Sequence, residues 1–274
     1  MSKGHHPTRI DPINLPRRLR DGLDEAASLL EKGKTAEVLE LLEDLDKHHP
    51  NQTYVLEMLV NAYLDSNDNH GYLRTLRKLH RLTPNRAEVK LGLASAYLAN
   101  GHLVLALDTF RECLERWPQH EHAAEARKAV QQLEEGLPKV LEDGGLDFEK
   151  DFDFACQHEE VQVCLDTGEF GRAKSLIEKL QRQKPGFVAP LNNLSQILWL
   201  EGDLPSAIAT CQKVLTIEPD NIHALGNLIR YLYMSGKKEE ATPLIEQLKA
   251  SKAEASERWI KLPKRSVSSA TTPA

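Results

Sequence analysis

Histidine and cysteine are the residue types in this chain whose chemistry suits a metal ion or a nucleophile. The candidates are His5–His6, His48–His49, His120, His122 and His158, together with Cys113, Cys156, Cys164 and Cys211. A structural zinc site needs four convergent ligands, usually with cysteines in closely spaced pairs, and the sequence contains no CxxC pair. We therefore predict solvated histidines, buried thiols, no metal site and no cofactor.

Catalytic motifs are also missing from the sequence. It contains no nucleophile elbow, phosphate-binding loop, HExxH zinc motif or dinucleotide-binding fingerprint. Its glycines are spread along the chain, whereas a phosphate-binding loop requires several of them together. We therefore predict that the protein is not an enzyme.

The composition is typical of a helical protein. Hydrophobic residues make up 41% of the 274 residues and charged residues 28%, but aromatic residues only 5%. A core with few aromatic residues depends on Leu, Ala, Ile and Val, of which leucine and alanine are good helix formers. The net charge is −6 and the pI is about 6.0. Because a general nucleic-acid binder needs a basic surface, this charge argues against nucleic acid as a partner.

Signals for export or membrane insertion are not seen in the sequence. No apolar stretch approaches the roughly 20 residues that a helix needs to span a bilayer. Residues 1–20 contain no apolar segment of the kind found in secretory signals. Unpaired cysteines in a chain without an export signal are expected to stay reduced. We therefore predict a cytoplasmic protein that does not contact a membrane.

Several residue types recur with one period of 34 residues. The prolines are Pro50, Pro84 and Pro118, followed by Pro185 and Pro219. The glycines are Gly33, Gly101, Gly168, Gly202 and Gly236. Five residues after each glycine comes a mostly small residue: Val38, Ala106, Ala173, Ala207 and Ala241. Independent residue types that keep one period indicate a structural repeat.

The segment 87–120 shows what one repeat encodes. An apolar stripe predicts a first helix, and Gly101 then permits the left-handed backbone that ends a helix and turns the chain. A second amphipathic helix follows and ends before Pro118. The small residues Ala94 and Ala106 allow the two helices to approach closely.

With residue 87 as position 1, the segment resembles the tetratricopeptide repeat family, whose period is 34 residues and whose known use is protein–protein binding. The matching residues are Leu93, Ala94, Tyr97, Gly101, Ala106, Phe110, Cys113 and Pro118. The resemblance implies an all-α fold, a right-handed superhelical solenoid of antiparallel helix pairs. The segment 53–86 departs from the pattern, with Asn67 for the turn glycine and Tyr72 for the small residue, and Tyr72 is expected to push its two helices apart or tilt them.

The register divides the chain into two blocks of repeats. We predict an N-terminal extension at 1–18, three repeats over 19–120, three more over 154–255, a capping helix at 256–262 and a disordered tail at 263–274. The segment 121–153 fits the repeat poorly and is interpreted either as a degenerate repeat or as a long helix followed by a hinge. The C-terminal end is either a natural cap or the end of a shortened array.

The family resemblance also implies that first-helix side chains line a concave groove. In the second block these are His158, Gln162, Asn192, Asn193, Gln196, Trp199, His223, Asn227, Arg230 and Tyr233. Asn193 and Asn227 share position 6, so stacked repeats are expected to align their carboxamides, which both donate and accept hydrogen bonds. The alternative is a polar helix face that is simply solvated. The first block, with Glu57, Met58, Asn61, Lys90, Leu91 and Ser95, has no comparable polar row and is the weaker candidate.

Some family members bind chaperone C-terminal carboxylates through a clamp of three cations and two asparagines. The corresponding positions here hold His158, Gln162, Asn193, His223 and Asn227. An asparagine is kept but every cation is missing, which argues against a carboxylate ligand. Protonated His158 and His223 would replace the cations only in part, and only at low pH.

Three functions are compatible with these patterns. The first is a protein–protein interaction module that holds a peptide or helical segment of a partner in the concave groove. The second is a structural or assembly scaffold, with self-association through the C-terminal end, where Trp259 lies. The third is a non-catalytic regulatory partner of an enzyme on another chain.

Overall fold

The computed structural model describes residues 16–251. The chain divides into two compact units within helix α8 (Phe152–Asp166), after Glu159. Unit 1 is described over residues 16–159 and unit 2 over 160–251. The predicted capping helix at 256–262 and the predicted tail at 263–274 lie outside the described residues, as do most of the predicted N-terminal extension and the His5–His6 pair.

Unit 1 contains seven complete helices within its described residues. They are α1 (Arg17–Glu31), α2 (Thr35–His48), α3 (Thr53–Asp65), α4 (Asn69–Leu82), α5 (Ala87–Ala99), α6 (Leu103–Arg116) and α7 (Ala123–Asp143). From α1 to α6, each helix packs against the one that follows it in the chain. The long α7 was expected from the segment 121–153, and it continues through Pro138.

Unit 2 repeats the same arrangement. Its helices after α8 are α9 (Phe170–Gln183), α10 (Ala189–Leu200), α11 (Leu204–Ile217), α12 (Ile222–Met234) and α13 (Lys238–Ser251). From α9 onward, each helix again packs against the next one in sequence. The prediction of an all-α chain of helix pairs is therefore confirmed for the part of the chain that the structure describes.

The turns inside the helix pairs have the backbone that the glycine series predicted. At Gly101 φ is +80°, and the amide of His102 donates to the carbonyl of Tyr97 at 2.9 Å, which closes the end of α5. Asn67 replaces this glycine in the preceding pair and has φ of +56°, a conformation that asparagine tolerates better than most residues. The turn thus survives the substitution.

The predicted small residues lie where paired helices meet. Ala106, Ala173, Ala207 and Ala241 are fully buried, as is Val38. In unit 2, Ala207 and Ala241 join Cys211, Tyr231 and two leucines of α12 in one cluster of buried side chains. A core made of small and medium-sized side chains along consecutive helix pairs explains why the aromatic content is so low.

Tyr72 does not hold its helix pair apart as expected. The neighbouring Gly71 provides the close approach between α3 and α4, since a Cβ at Gly71 would lie 2.3 Å from Cε1 of Tyr63. Tyr72 itself is half-buried, and its hydroxyl lies 3.5 Å from the place where a Cβ on Gly92 of α5 would be. The small residue between the paired helices is therefore shifted by one position, and the tyrosine contacts the next helix pair.

Candidate functional site

Unit 1 contains a groove of about 1250 Å³ formed by its first helices. The lining comes from α1, α3, α5 and α7, with a floor from α4 and α6. It includes Ala27, Leu30, Glu57, Met58, Asn61, Leu64, Tyr72, Arg86, Glu88, Leu91, Gly92, Ser95, Leu98, His122, Glu125, Ala126 and Ala129. Of the first-block residues predicted to face a groove, all line this one except Lys90.

Lys90 is a correction to the sequence analysis. Its side chain is buried and forms an ion pair with Glu112 of α6, so it does not face the groove. Residue 90 is position 4 of its repeat, and positions 4 and 5 point about 100° apart around a helix. Leu91, one residue later, is the groove residue.

A row of three leucines crosses the groove of unit 1. Leu30, Leu64 and Leu98 are spaced by 34 residues, so each occupies position 12 of its repeat. The side chain of Leu64 is 57% exposed and that of Leu98 38%, while Leu30 is half-buried. We call these three residues the leucine row. Clustered exposed leucines are unusual on a monomeric protein and typically mark a binding surface.

Small residues form part of the groove wall. Gly92 and Ser95 lie on α5, and Ala126 and Ala129 lie on α7. Ser95 and Ala129 add little side-chain volume to the groove, whereas Ala126 is buried and a Cβ on Gly92 would lie 3.3 Å from Leu76 of α4. With residue 121 as position 1, Ala126 and Ala129 occupy positions 6 and 9, so α7 follows the repeat register even though its sequence matches the repeat poorly.

Three carboxylates lie along the groove near the N-terminal ends of its helices. Glu57 forms an ion pair with Arg86. Glu88 and Glu125 lie in the first turns of α5 and α7, and a carboxylate oxygen of Glu88 is 3.8 Å from Nε2 of His120. We call Glu57, Glu88 and Glu125 the acidic rim. The groove therefore combines an apolar row with a negatively charged edge.

In unit 2, the structure brings three of the predicted site residues together. Asn227 is only 6% exposed, and its Nδ2 donates to Oγ of Ser195 at 3.4 Å, while its Oδ1 accepts from Arg230. The guanidinium carbon of Arg230 lies 5.2 Å from the ring centre of Trp199. The predicted exposed row of Asn193 and Asn227 is therefore corrected at Asn227, whose carboxamide is held inside the unit.

Tyr231 completes this cluster and was not predicted as a site residue. Its ring is fully buried and stacks on Trp199 with ring centres 5.9 Å apart, and its hydroxyl donates to the carbonyl of Ser195 at 3.3 Å. Burial raises the pKa of this hydroxyl to about 12. We call Ser195, Trp199, Asn227, Arg230 and Tyr231 the stacked cluster. Tyr231 could have been considered from the sequence, because it lies one position before the tyrosine position of the repeat.

Most of the remaining predicted residues lie on α10 and α12, and Gln162 lies on α8. Asn192, Asn193, Gln196, Gln162 and Tyr233 are half-buried, and His223 is exposed. Nδ2 of Asn192 donates to Oδ1 of Asn221 at 3.2 Å, and Oδ1 of Asn221 also accepts from the Ala224 amide that begins α12. Oδ1 of Asn192 and Nδ2 of Asn193 are buried atoms without a hydrogen-bond partner among the described residues.

The two histidines are poorly suited to replace a cation. Burial lowers the pKa of His158 to about 4, and partial burial lowers the pKa of His223 as well. Both rings are therefore neutral at neutral pH. Arg230 is a cation that does lie at this surface of unit 2. It occupies position 9 of its repeat, which is not one of the clamp positions compared above. His158 lies in unit 1, whereas His223 and Arg230 lie in unit 2.

The cysteines have the properties of buried core residues. Cys113, Cys164 and Cys211 are buried and Cys156 is half-buried, and all four are free thiols. Burial raises the thiol pKa to about 11 for Cys113 and Cys211 and to about 12 for Cys156. Since the thiolate is the nucleophile, thiols that stay protonated are unreactive.

Two other kinds of functional feature are absent from residues 16–251. No group of three or more His, Cys, Asp or Glu side chains there is arranged to hold a metal ion. None of the described helices is both long enough and apolar enough to cross a membrane.

Models of known protein families identify the family to which this chain belongs. A family model described as Tetratricopeptide repeat matches residues 57–121 and 159–222, and a second model with the same description matches 198–262. Together they match more than half of the chain. The protein therefore belongs to the tetratricopeptide repeat family, whose members generally serve as protein-interaction modules and are typically non-catalytic.

Among curated proteins, the chain is similar to the TPR repeat-containing protein YvcD of Bacillus subtilis (strain 168). The two are 24% identical over 212 residues, which is 76% of this chain and 41% of YvcD. The chain thus spans about two fifths of the length of that relative.

Among solved structures, the chain is similar to the TPR domain of P58(IPK). The identity is 16%, with 89% of this chain and 66% of that one covered and a TM-score of 0.41. A tetratricopeptide repeat protein from Parabacteroides merdae ATCC 43184 is 14% identical, covers 90% of this chain and 98% of its own, and has a TM-score of 0.40. Since TM-scores below 0.5 do not establish a common arrangement, the family assignment rests on the sequence matches.

Proposed function

We propose that this protein is a non-catalytic interaction module that holds a segment of a partner protein in the groove of unit 1. The observation that carries the proposal is the leucine row, since Leu64 is more than half exposed in a groove lined mainly by apolar side chains. Burying exposed leucine surface contributes about 25 cal/mol per Å², which favours a partner that covers the row.

The size of the groove favours a polypeptide over a small molecule. Its volume of about 1250 Å³ exceeds the range of about 300–1,000 Å³ that is usual for small-molecule pockets. Its lining also extends over four helices, α1, α3, α5 and α7. A chain segment matches this shape better than a compact ligand.

A second binding surface is proposed on unit 2, where the sequence analysis predicted one. Asn192 and Asn193 are half-buried neighbours on α10, and a carboxamide can both donate to and accept from a peptide backbone. Gln196, Trp199 and Tyr233 lie on the same helices, α10 and α12. The proposed surface does not include Asn227, because its carboxamide is hydrogen-bonded to Ser195 and Arg230.

The remaining interpretations stay predictions. Self-association through the C-terminal end depends on residues beyond 251, which lie outside the described part of the chain. A role as the regulatory partner of an enzyme is compatible with the family but has no residue of its own in support. The cytoplasmic location is likewise predicted from the sequence alone.

Substitution of the leucine row tests the groove directly. The full chain carrying Leu64→Asp is compared with the wild type in affinity capture from native cells, followed by quantitative mass spectrometry. Leu82→Asp is the matched control, since Leu82 is 40% exposed but does not line the groove. The proposal expects proteins that are lost with Leu64→Asp and retained with Leu82→Asp. Identical sets of proteins in all three samples would contradict it.

A further inference from the structure

We propose that the occupant of the unit 1 groove is an amphipathic α-helix with a leucine-like apolar face bordered by lysine or arginine. This inference rests on the proposed function and specifies the chemistry of the partner. Three features of the groove support it: the recurrence of the leucine row once per repeat, the small number of uncharged polar side chains in the lining, and the charge of the acidic rim.

The spacing of the leucine row fits the repeat of a helix. Leu30, Leu64 and Leu98 lie one per repeat on α1, α3 and α5, and since neighbouring helices of a stack are typically about 10 Å apart, the row is expected to recur at about that interval. Seven residues of an α-helix rise about 10 Å. A helix that runs along the row therefore presents a leucine-like residue to each member in turn when its apolar residues recur about every seven residues.

The polar composition of the lining favours a helix over an extended peptide. An extended segment brings one unpaired N–H and one unpaired C=O per residue, and burying these groups without partners is costly. Apart from His122, the uncharged polar side chains of the lining are Asn61, Tyr72 and Ser95, and Oγ of Ser95 already donates to the carbonyl of Leu91 at 3.1 Å. Glu57 and Arg86 pair with each other. A helix satisfies its backbone groups internally and needs only an apolar surface.

The acidic rim favours basic residues on the partner. Arg86 neutralises Glu57, which leaves Glu88 and Glu125 as the net charge beside the groove, with His120 and His122 near them. Both glutamates lie at helix N-termini, where the helix dipole contributes about half a positive charge, so each site keeps a net negative charge. Lysine or arginine beside the apolar face of the partner would complement this edge, and acidic residues would be repelled.

Synthetic peptides of defined pattern test this chemistry on the full chain. The first is a fluorescein-labelled 21-residue peptide with leucine at the first and fourth position of each heptad and lysine elsewhere. The second replaces every lysine by glutamate. The third has the composition of the first but alternates leucine and lysine as far as that composition permits, which favours an extended strand. Binding is measured by fluorescence anisotropy, and helix formation by circular dichroism of the unlabelled peptides.

Variants of the chain locate the binding. Leu64→Gln, which removes the apolar side chain without adding a charge that lysine would favour, is expected to weaken binding of the lysine helix at least tenfold, whereas Leu82→Gln leaves it unchanged. Glu88→Lys with Glu125→Lys is also expected to weaken it at least tenfold. The charge-matched control is Glu40→Lys with Glu115→Lys, two exposed carboxylates that do not line the groove, and these are expected to change binding less than threefold.

The possible outcomes test different parts of the proposal. Leu64-dependent binding of the lysine helix, with weak binding of the other two peptides, supports the proposal. Equal binding of the glutamate helix overturns the basic partner, and tighter binding of the alternating peptide overturns the helix, while both leave the groove as a protein-binding site. Binding that does not depend on Leu64 overturns the docking of this helix in the groove. In that case, loss of the native partners with Leu64→Asp in affinity capture would still support the proposed function, because it would show that the groove binds a partner of another kind.

Discussion

Leu64 in unit 1 and Trp199 in unit 2 occupy the same position of the repeat, but their surroundings differ. Leu64 lies in an open groove and is more than half exposed. Trp199 is half-buried, stacked on Tyr231 and covered by the guanidinium of Arg230. One position of the repeat is thus largely exposed in unit 1, whereas internal packing covers part of the side chain in unit 2.

The asparagines show the same contrast. Asn61 on α3 is exposed and faces the groove, whereas Asn227 on α12 is buried and hydrogen-bonded to Ser195 and Arg230. The face of a repeat therefore does not by itself decide whether a polar residue binds a ligand. That depends on whether neighbouring helices supply partners for it. Four substitutions or titrations test this contrast, and they follow in order of expected effect.

The largest effect is expected at Tyr231. Tyr231→Ala removes a fully buried ring that stacks on Trp199 and donates to Ser195, and large-to-small substitutions of this kind cost about 3–5 kcal/mol. Tyr233→Ala, at a half-buried ring two residues later, is expected to cost less than half as much. Native-state hydrogen exchange of the α10 and α12 amides measures both. A loss below about 1 kcal/mol for Tyr231→Ala would show that the stacked cluster does not stabilise unit 2.

The second test uses pH and compares His158 with His223. The pKa of His158 is about 4 in the folded chain and about 6.5 when unfolded, so between these values the unfolded state binds more protons. Stability from the neutral ring is complete above pH 6.5 and is lost as the pH falls to 4, by roughly 3 kcal/mol at most.

The measurement compares urea unfolding of the wild type and His158→Gln from pH 4 to pH 7. The variant should show a shallower loss of stability over this range. Burial raises the pKa of the neighbouring Glu159, which acts in the opposite direction, and the difference between the two proteins isolates His158. His223→Gln serves as the comparison and should change the profile less, because His223 is exposed. Parallel profiles for wild type and His158→Gln would exclude the effect.

The third test compares the two asparagines. Asn227→Ala removes one acceptor from Arg230 and one donor to Ser195, and leaving such buried groups without a partner costs about 1–3 kcal/mol. Asn61→Ala, at an exposed position, is expected to change stability by less than about 0.5 kcal/mol. Equilibrium denaturation in urea measures both values. Equal effects would remove the distinction between a structural and an available carboxamide.

The smallest effect on stability is expected for the leucine row. Leu64→Asp should change the free energy of unfolding by less than about 0.5 kcal/mol, because the side chain is already 57% exposed. Thermal unfolding followed by circular dichroism checks this value. A loss of several kcal/mol would mean that the leucine is needed for folding, and its loss of binding would then carry no information about the groove.

The candidate site was only partly accessible from the sequence. The 34-residue period located the helix pairs, the turn residues and the buried small residues, and it assigned most of the groove-facing positions in unit 1. The leucine row was also visible as Leu30, Leu64 and Leu98 at position 12, but the prediction followed aligned polar residues and omitted it. Lys90 was assigned to the wrong face because an error of one residue rotates a helix position by about 100°.

What the sequence by itself determined is the order of helix pairs, because proline, glycine and small residues act locally on helix ends and on close helix packing. Only the tertiary structure decided that Gly71, in place of residue 72, lets α3 and α4 approach closely, and that Arg230 and Ser195 engage Asn227. These outcomes depend on side chains from different helices meeting at distances of a few ångströms. Such distances follow from packing, and the period of a repeat does not contain them.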